Sequence, residues 1–241
     1  MVRRYGLWTT AGHEFAEAVN RTASRVEVQR VCEVGAGANP LLTPEYADEH
    51  GLEYVLVDAS AQELAKAPAG YRTLAADVTS SGLAGAGLYQ LVFSRYLAEH
   101  VRSAPAFHRN VLSMLAPGGW ALHFFSTLYA VPFLLNRVLP ERLGEAALTR
   151  LHPDRRGDGS QGKFPAYYRW CRGPLRAQER RLSGVGFEVL EYAGFFGHEY
   201  YRTIPGHGAF GGALARRLVS HPVPVMTSYA YVVMRRPHES A

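Results

Sequence analysis

Short apolar runs that each stop at a polar or turn residue, spaced by stretches of helical character, constrain this 241-residue chain more than any other feature. The runs are Val31 to Val34, Tyr54 to Val57, Tyr71 to Ala75, Leu88 to Phe93, Trp120 to Phe125, Phe187 to Ala193 and Val225 to Met234. Short continuous apolar runs of this kind predict buried strands. Ala11 to Val26 predicts an opening helix, with Phe15, Ala18, Val19 and Ala23 at helical spacing; Ala61 to Ala67, Phe107 to Leu115 and Leu175 to Leu182 predict further helices. Pro117-Gly118-Gly119 stops the third of these. Strands alternating with helices imply an α/β fold with a parallel sheet flanked by helices. Ligands of such sheets bind beyond the carboxyl ends of the strands, where strand order reverses. Here those ends carry Gly35-Ala36-Gly37, Asp58, Asp77 and Ser94.

Residues 126–172 break the rhythm, being too long for an ordinary connection. They hold an apolar segment (Leu128 to Leu139), a basic polar stretch (His152 to Gly162) and an aromatic cluster (Phe164, Tyr167, Tyr168, Trp170). The expectation is one domain over 1–241, with 126–172 inserted as a substrate cap and 1–27 a helical segment over the cofactor site.

Composition narrows the function. Hydrophobic residues at 47% and charged residues at 20% suit a water-soluble globular protein. The net charge of +5 comes from arginine, since Lys66 and Lys163 are the only lysines. Cys32 and Cys171 lie far apart, which argues against a disulfide framework and a zinc site. Met1 to Ala23 has no continuous apolar stretch and no window reaches the length of a membrane span, so the expectation is a cytoplasmic protein without stable membrane insertion. A homodimer is compatible with this composition.

The first strand leads into Glu33-Val-Gly-Ala-Gly-Ala-Asn-Pro40. Glycines at 35 and 37 let the backbone turn sharply and approach a ligand. Pro40 stands where a dinucleotide fingerprint needs its third glycine, and no phosphate-binding Gly-x-x-x-x-Gly-Lys-Ser/Thr element is present. Glu33 would repel a pyrophosphate and favour a cationic, amine-bearing ligand. Asp58, 21 residues after Gly37, can accept hydrogen bonds from a ribose diol. Asp77 can accept from an adenine amino group while Val78 packs on the ring.

At these residues the chain resembles the class I S-adenosylmethionine-dependent methyltransferases. Glu33 to Pro40 looks like their first motif, Val57-Asp58-Ala59-Ser60 like the acidic second, Leu91 to Val101 like the fourth-strand motif, and Leu115 to Trp120 like the turn before their fifth strand. The resemblance implies a Rossmann-like, seven-stranded, mostly parallel sheet and S-adenosylmethionine as cofactor, leaving S-adenosylhomocysteine as product. It places Gly35, Ala36 and Gly37 under the methionine portion, Asp58 and Ala59 at the ribose, Asp77 and Val78 at the adenine, and the Ser94 backbone at the amino group. Tyr96 stands where the metal-binding ubiquinone-type enzymes carry a further glutamate, and Glu99 with His100 offers too few oxygen ligands for a hard cation, so no metal is expected.

The substrate expected is a small aromatic or apolar molecule, with O-methylation favoured and a role in small-molecule biosynthesis. His100 and His198 are the candidate bases, and Tyr96, Tyr167, Tyr168, Trp170 and Tyr200 the candidate substrate contacts. The alternatives are a lipid-linked or sugar acceptor at a membrane surface, and a non-methylating reaction of bound S-adenosylmethionine. Nucleic acid is not expected: Ser94-Arg95-Tyr96-Leu97 replaces an Asn/Asp-Pro-Pro-Tyr/Phe signature, and no basic tail is present.

Overall fold

A computed structural model describes residues 1–80, 88–128, 165–198 and 207–238. In chain order the elements are β1 (Val2–Leu7), α1 (Trp8–Ala23), β2 (Arg30–Val34), α2 (Pro44–Glu49), β3 (Glu53–Asp58), α3 (Ala61–Leu64), β4 (Arg72–Ala75), β5 (Tyr89–Arg95), α4 (Ala104–Met114), β6 (Leu115–Ser126), α5 (Arg176–Val185), β7 (Glu188–Phe196), α6 (His207–Ser220), a 3-10 turn (Pro224–Met226) and β8 (Tyr229–Arg235). The strands form one sheet in the order β1-β7-β8-β6-β5-β2-β3-β4. β8 runs antiparallel to β6 and β7, and the other pairs are parallel. Order therefore reverses between β2 and β5, whose C-terminal ends flank the site.

Each predicted strand is present, and β1 makes an eighth. Its residues, Val2-Arg3-Arg4-Tyr5-Gly6-Leu7, lack an apolar run. Carboxylates distant in sequence hold it instead: Arg3 Nε meets Glu179 at 2.7 Å and Arg4 Nη1 meets Glu191 at 3.2 Å. Charged side chains on an outer strand also discourage pairing with another chain. The opening segment is thus a strand and then a helix, and α1 begins at Trp8 rather than Ala11. β8 starts at Tyr229 because Val223 to Met226, with Pro224 leading, winds into the 3-10 turn.

The strands separate two cores by alternation, as a pleated sheet buried on both faces must. Val31, Leu56, Leu91, Phe93, Leu122, Phe124 and Phe195 face α1, α2 and α3. Cys32, Val34, Val57, Val92, Ala121, Phe125 and Tyr192 face α4 and α5. Side-chain caps start the short helices: Thr43 Oγ1 accepts from Tyr46 N, Ser60 Oγ from Glu63 N, and Ser103 Oγ from Ala106 N. Among the described residues no helix is long and apolar enough to cross a membrane.

The inserted segment leaves and returns at one place. Thr127 N–H donates to Ser228 O, and Leu128 N–H donates to Cys171 O at 3.1 Å. Residues 129–164, with most of the expected cap, lie outside the described residues.

Candidate active site

Strand β2 ends in a turn that only glycine accommodates well. Gly35 has φ +72°, and a Cβ there would sit 2.9 Å from the Leu97 side chain. Its N–H donates to Val57 O at 2.7 Å. Gly37, at φ +50°, donates its N–H to Asp58 Oδ2 at 3.1 Å. Asp58 Oδ1 accepts from Ser60 N–H at 2.8 Å, so this carboxylate ties the glycine turn to the start of α3. One strand over, Asp77 Oδ1 accepts from both the N–H and the hydroxyl of Thr79 at 2.8 Å. A carboxylate oxygen has lone pairs beyond those bonds, so both aspartates can still accept from a ligand.

These groups line one cleft of about 550 Å³, within the roughly 300–1,000 Å³ common for small-molecule sites. Gly35, Ala36, Gly37, Asp58, Ala59, Asp77 and Val78 form its floor and one wall. The other wall holds Tyr96, Leu97, His100, Arg102, Pro165 and Tyr167. Among the described residues none before Gly35 lines it, so the 1–27 segment packs on the sheet instead. Sequence reasoning missed Asn39, Glu63, Leu97 and Arg102 as lining residues, and Asn110 as a brace. Asn110 Nδ2 donates to Val78 O and Ser80 O, each at 2.8 Å, pinning the Asp77 loop to α4. Arg95 Nη2 likewise clamps Asn39 O at 2.6 Å. No local pattern announces either brace, because each joins segments more than 25 residues apart.

Glu33 does not line the cleft. It is 1% exposed, and its Oε2 accepts from Leu41 N–H at 2.9 Å and from the Tyr54 hydroxyl. Burial raises its pKa, partly offset by those two donors. Its role here is to hold the turn after the glycines. The Ser94 side chain is also fully buried, with Oγ 2.8 Å from His123 Nδ1.

His100 is brought to the cleft by the backbone around Glu99. The Glu99 carbonyl accepts from Tyr167 N–H at 2.7 Å and Tyr168 N–H at 3.0 Å, joining the loop after β5 to the returning chain. The Glu99 carboxylate points inward, with Oε1 accepting from Ser126 N–H at 3.2 Å, and burial raises its pKa. His100 Nδ1 lies 3.1 Å from Pro165 O. A carbonyl only accepts, so Nδ1 carries the proton and Nε2 of the neutral ring is the basic nitrogen.

Other expected site residues fall elsewhere. Trp170 stacks on buried His108 at 5.7 Å between ring centroids, and Tyr168 belongs to the same core. Both pack against that core, and each has a positive φ, 50° at Tyr168 and 62° at Trp170. His198 is 6% exposed, with Nε2 2.6 Å from the Tyr229 hydroxyl and its ring stacked on Tyr229 and Trp8. Burial lowers its pKa to about 4. It does not line the cleft, although Tyr229 lies edge-on to the cleft residue Tyr96 at 6.4 Å. Tyr200 lies outside the described residues. Among those residues no three His, Cys, Asp or Glu side chains converge as a metal site would require.

The methyltransferase-domain family model matches residues 7–192. The chain belongs to that family. No curated protein matches the sequence. Solved structures share the fold at low identity. Phosphoethanolamine N-methyltransferase 2 of Haemonchus contortus, in complex with S-adenosyl-L-methionine, superposes with a TM-score of 0.58 at 16% identity, covering 94% of this chain and 53% of that one. This chain therefore spans about half the length of that relative. The [4+2]-cyclase SpnF gives 0.58 at 15% identity over 97% and 83% of the two chains. An S-adenosylmethionine-dependent methyltransferase from Mesorhizobium loti gives 0.52 at 20% over 92% and 98%. A methyltransferase domain of this kind takes S-adenosylmethionine as methyl donor. The residues present are compatible with that group: the cleft combines a close-approach glycine turn with two carboxylates, at adjacent strand ends, that can still accept hydrogen bonds.

Proposed function

We propose that this chain transfers a methyl group from S-adenosylmethionine to a small aromatic or apolar molecule, with oxygen the favoured acceptor atom. The observation that carries the reading is the placement of His100 in the same cleft as Gly35, Asp58 and Asp77. When bound, the cofactor supplies an electrophilic methyl group on a sulfonium, with a neutral leaving group.

The protein's own part is positional and acid–base. Asp58 and Asp77 orient the ribose and adenine, and the glycine turn seats the amino-acid end. Leu97, filling the space a Cβ at Gly35 would need, closes the floor against water. His100 Nε2 removes the acceptor's proton as the nucleophile forms, while the Pro165 carbonyl holds the ring by its hydrogen bond to Nδ1. Tyr96 and Tyr167 offer ring faces and hydroxyls for an aromatic acceptor. Alignment of nucleophile, methyl and sulfur supplies much of the rate.

The test is isothermal titration with S-adenosylmethionine and S-adenosylhomocysteine, followed by a screen of phenols, alcohols, amines and carboxylic acids for methylated product. One site per chain together with a methylated phenol or alcohol supports the reading. Methylation of amines alone would overturn the oxygen preference, and absence of cofactor binding by folded protein would overturn the whole.

A further inference from the structure

We propose that the surface formed by α4, α5 and the chain leading into α5 docks an acidic protein. Arg102, Arg109, Arg169, Arg176, Arg180 and Arg181 are all exposed there. Among the described residues none of the six is in an ion pair. The described stretches 88–128 and 165–185 carry only two carboxylates, Glu99 and Glu179. Glu99 is buried, and Glu179 is taken by Arg3 at 2.7 Å. The opposite layer and its margin differ. There Arg4 meets Glu14 and Glu191, Arg25 meets Glu27, and Arg30 and Arg72 share Glu53. Exposed arginines without an ion pair also occur elsewhere among the described residues, at Arg21, Arg216 and Arg217, but this face gathers six of them.

The six arginines sit on neighbouring elements, since α4 packs against α5 and the chain 165–175 runs between them. Arg102 Nε donates to the Tyr167 hydroxyl at 2.9 Å, and its guanidinium lies 5.7 Å from that ring's centroid. Arg181 lies 5.9 Å from the Trp170 ring, which stacks on His108, next to Arg109 in α4. Arg169 adjoins Trp170, and Arg176 and Arg180 stand one turn apart on α5. Arg176 opens α5, and Leu175 at its N-cap supplies no side-chain hydrogen bond. A cation at a helix N-terminus opposes the helix dipole, so the arrangement is relieved when an anionic group arrives.

The extent and chemistry of the face select the partner. Arg109 and Arg102 belong to α4 and the loop before it, and Arg176 and Arg180 of α5, one turn or about 6 Å apart, add a second row, so the face is wider than one small anion. Among the described residues the exposed large apolar side chains, such as Val26, Tyr96, Leu214, Val223 and Met226, all lie outside α4, α5 and 165–175, so these elements do not present what a membrane-inserting surface needs. Trp170 carries a guanidinium and an imidazole on its ring, and Tyr167 carries a guanidinium, so neither offers the open platform on which nucleobases stack. Carboxylates remain, and arginine forks pair with them in bidentate fashion. Arg102 also lines the cleft, so a protein docked on this face sits beside the cleft mouth.

The experiment uses the full chain and a fluorescein-labelled glutamate-rich helical peptide as probe, read by anisotropy at low and physiological salt. The R109E/R176E/R180E variant removes three arginines that do not line the cleft. R21E/R216E/R217E makes the same change of net charge elsewhere. Binding to the peptide should weaken by about tenfold or more in the first variant and much less in the second, with reduced salt dependence only in the first. S-adenosylhomocysteine titration, unchanged in both, shows that the fold is intact. The proposal is overturned if the two variants lose equally, if the wild-type chain does not bind the peptide at low salt, or if it binds phosphatidylglycerol-containing vesicles or duplex DNA more tightly than the peptide.

Discussion

The two halves of the sheet's C-terminal edge are made in different ways. Around β2, β3 and β4 the site is backbone and short polar side chains: the Gly35 turn, and Asp58 and Asp77 closing on N–H groups two residues ahead. Around β6, β7 and β8 the same edge of the sheet is a wall of rings, in which Phe124, Tyr229, His198 and Trp8 stack in sequence and Tyr96 meets them edge-on. The first side is specified by residues close together in the chain and suits an invariant cofactor. The second is assembled from residues as far apart as Trp8 and Tyr229, so its shape depends on packing.

His100 stands where the two sides meet, and its removal should have the largest effect. H100Q is expected to slow methyl transfer by about 10²–10⁴-fold while leaving cofactor affinity unchanged. Single-turnover rates beside S-adenosylhomocysteine titration measure both. A matched loss of affinity would place His100 on the cofactor side only.

D58A probes the backbone-built side. Losing a charged acceptor costs about 1.5–3 kcal/mol, or about 10–150-fold in S-adenosylhomocysteine affinity by titration calorimetry. A change below about threefold would break the assignment of Asp58 to the ribose.

G35A acts through shape. A left-handed backbone with a Cβ pressed on Leu97 costs about 1–3 kcal/mol, measured by urea unfolding. Adding L97A should recover part of that loss, since the close contact is with the Leu97 side chain.

The ring wall should respond least to a single change. Y229F removes the hydroxyl bonded to His198 and should cost about 1 kcal/mol of stability without altering cofactor affinity. The same wall should be sensitive to acid. An unfolded chain protonates His198 near pH 6.5, whereas in the fold burial delays protonation to about pH 4. The unfolded state therefore binds more protons in that window, and stability falls as pH drops through it. Melting curves of H198Q from pH 7 to 4 should be flatter than those of the parent. An identical slope would show that His108, held neutral to about pH 3 in the other core, dominates the acid response.

Much of this could be read in advance, for reasons visible in particular residues. Val31 to Val34 and Leu88 to Phe93 are apolar enough to be strands buried on both faces whatever their neighbours. Gly35, Asp58 and Asp77 terminate their strands, and strand ends are where an α/β sheet binds. Residue type does not fix exposure. Trp170, Tyr168 and His198 have the residue types of a substrate site, but exposure distinguishes a contact from a core residue, and exposure is set by the rest of the fold. β1 was illegible because two arginines, paired in the fold with Glu179, Glu14 and Glu191, take the place of an apolar run.

By itself, then, the sequence determined seven of the eight strands, four of the helices, the mostly parallel sheet and the glycine turn and aspartates at its strand ends, because local periodicity and turn chemistry encode them. Only the tertiary structure decided that Glu33 braces a loop, that His100 enters the cleft with Nδ1 held by Pro165, that His198 sits behind Tyr229, and that the arginines of α4 and α5 share one unneutralised face. Each of these depends on hydrogen bonds, ring contacts or helix packing between segments far apart in the chain, and such pairings exist only once the sheet has brought those segments together.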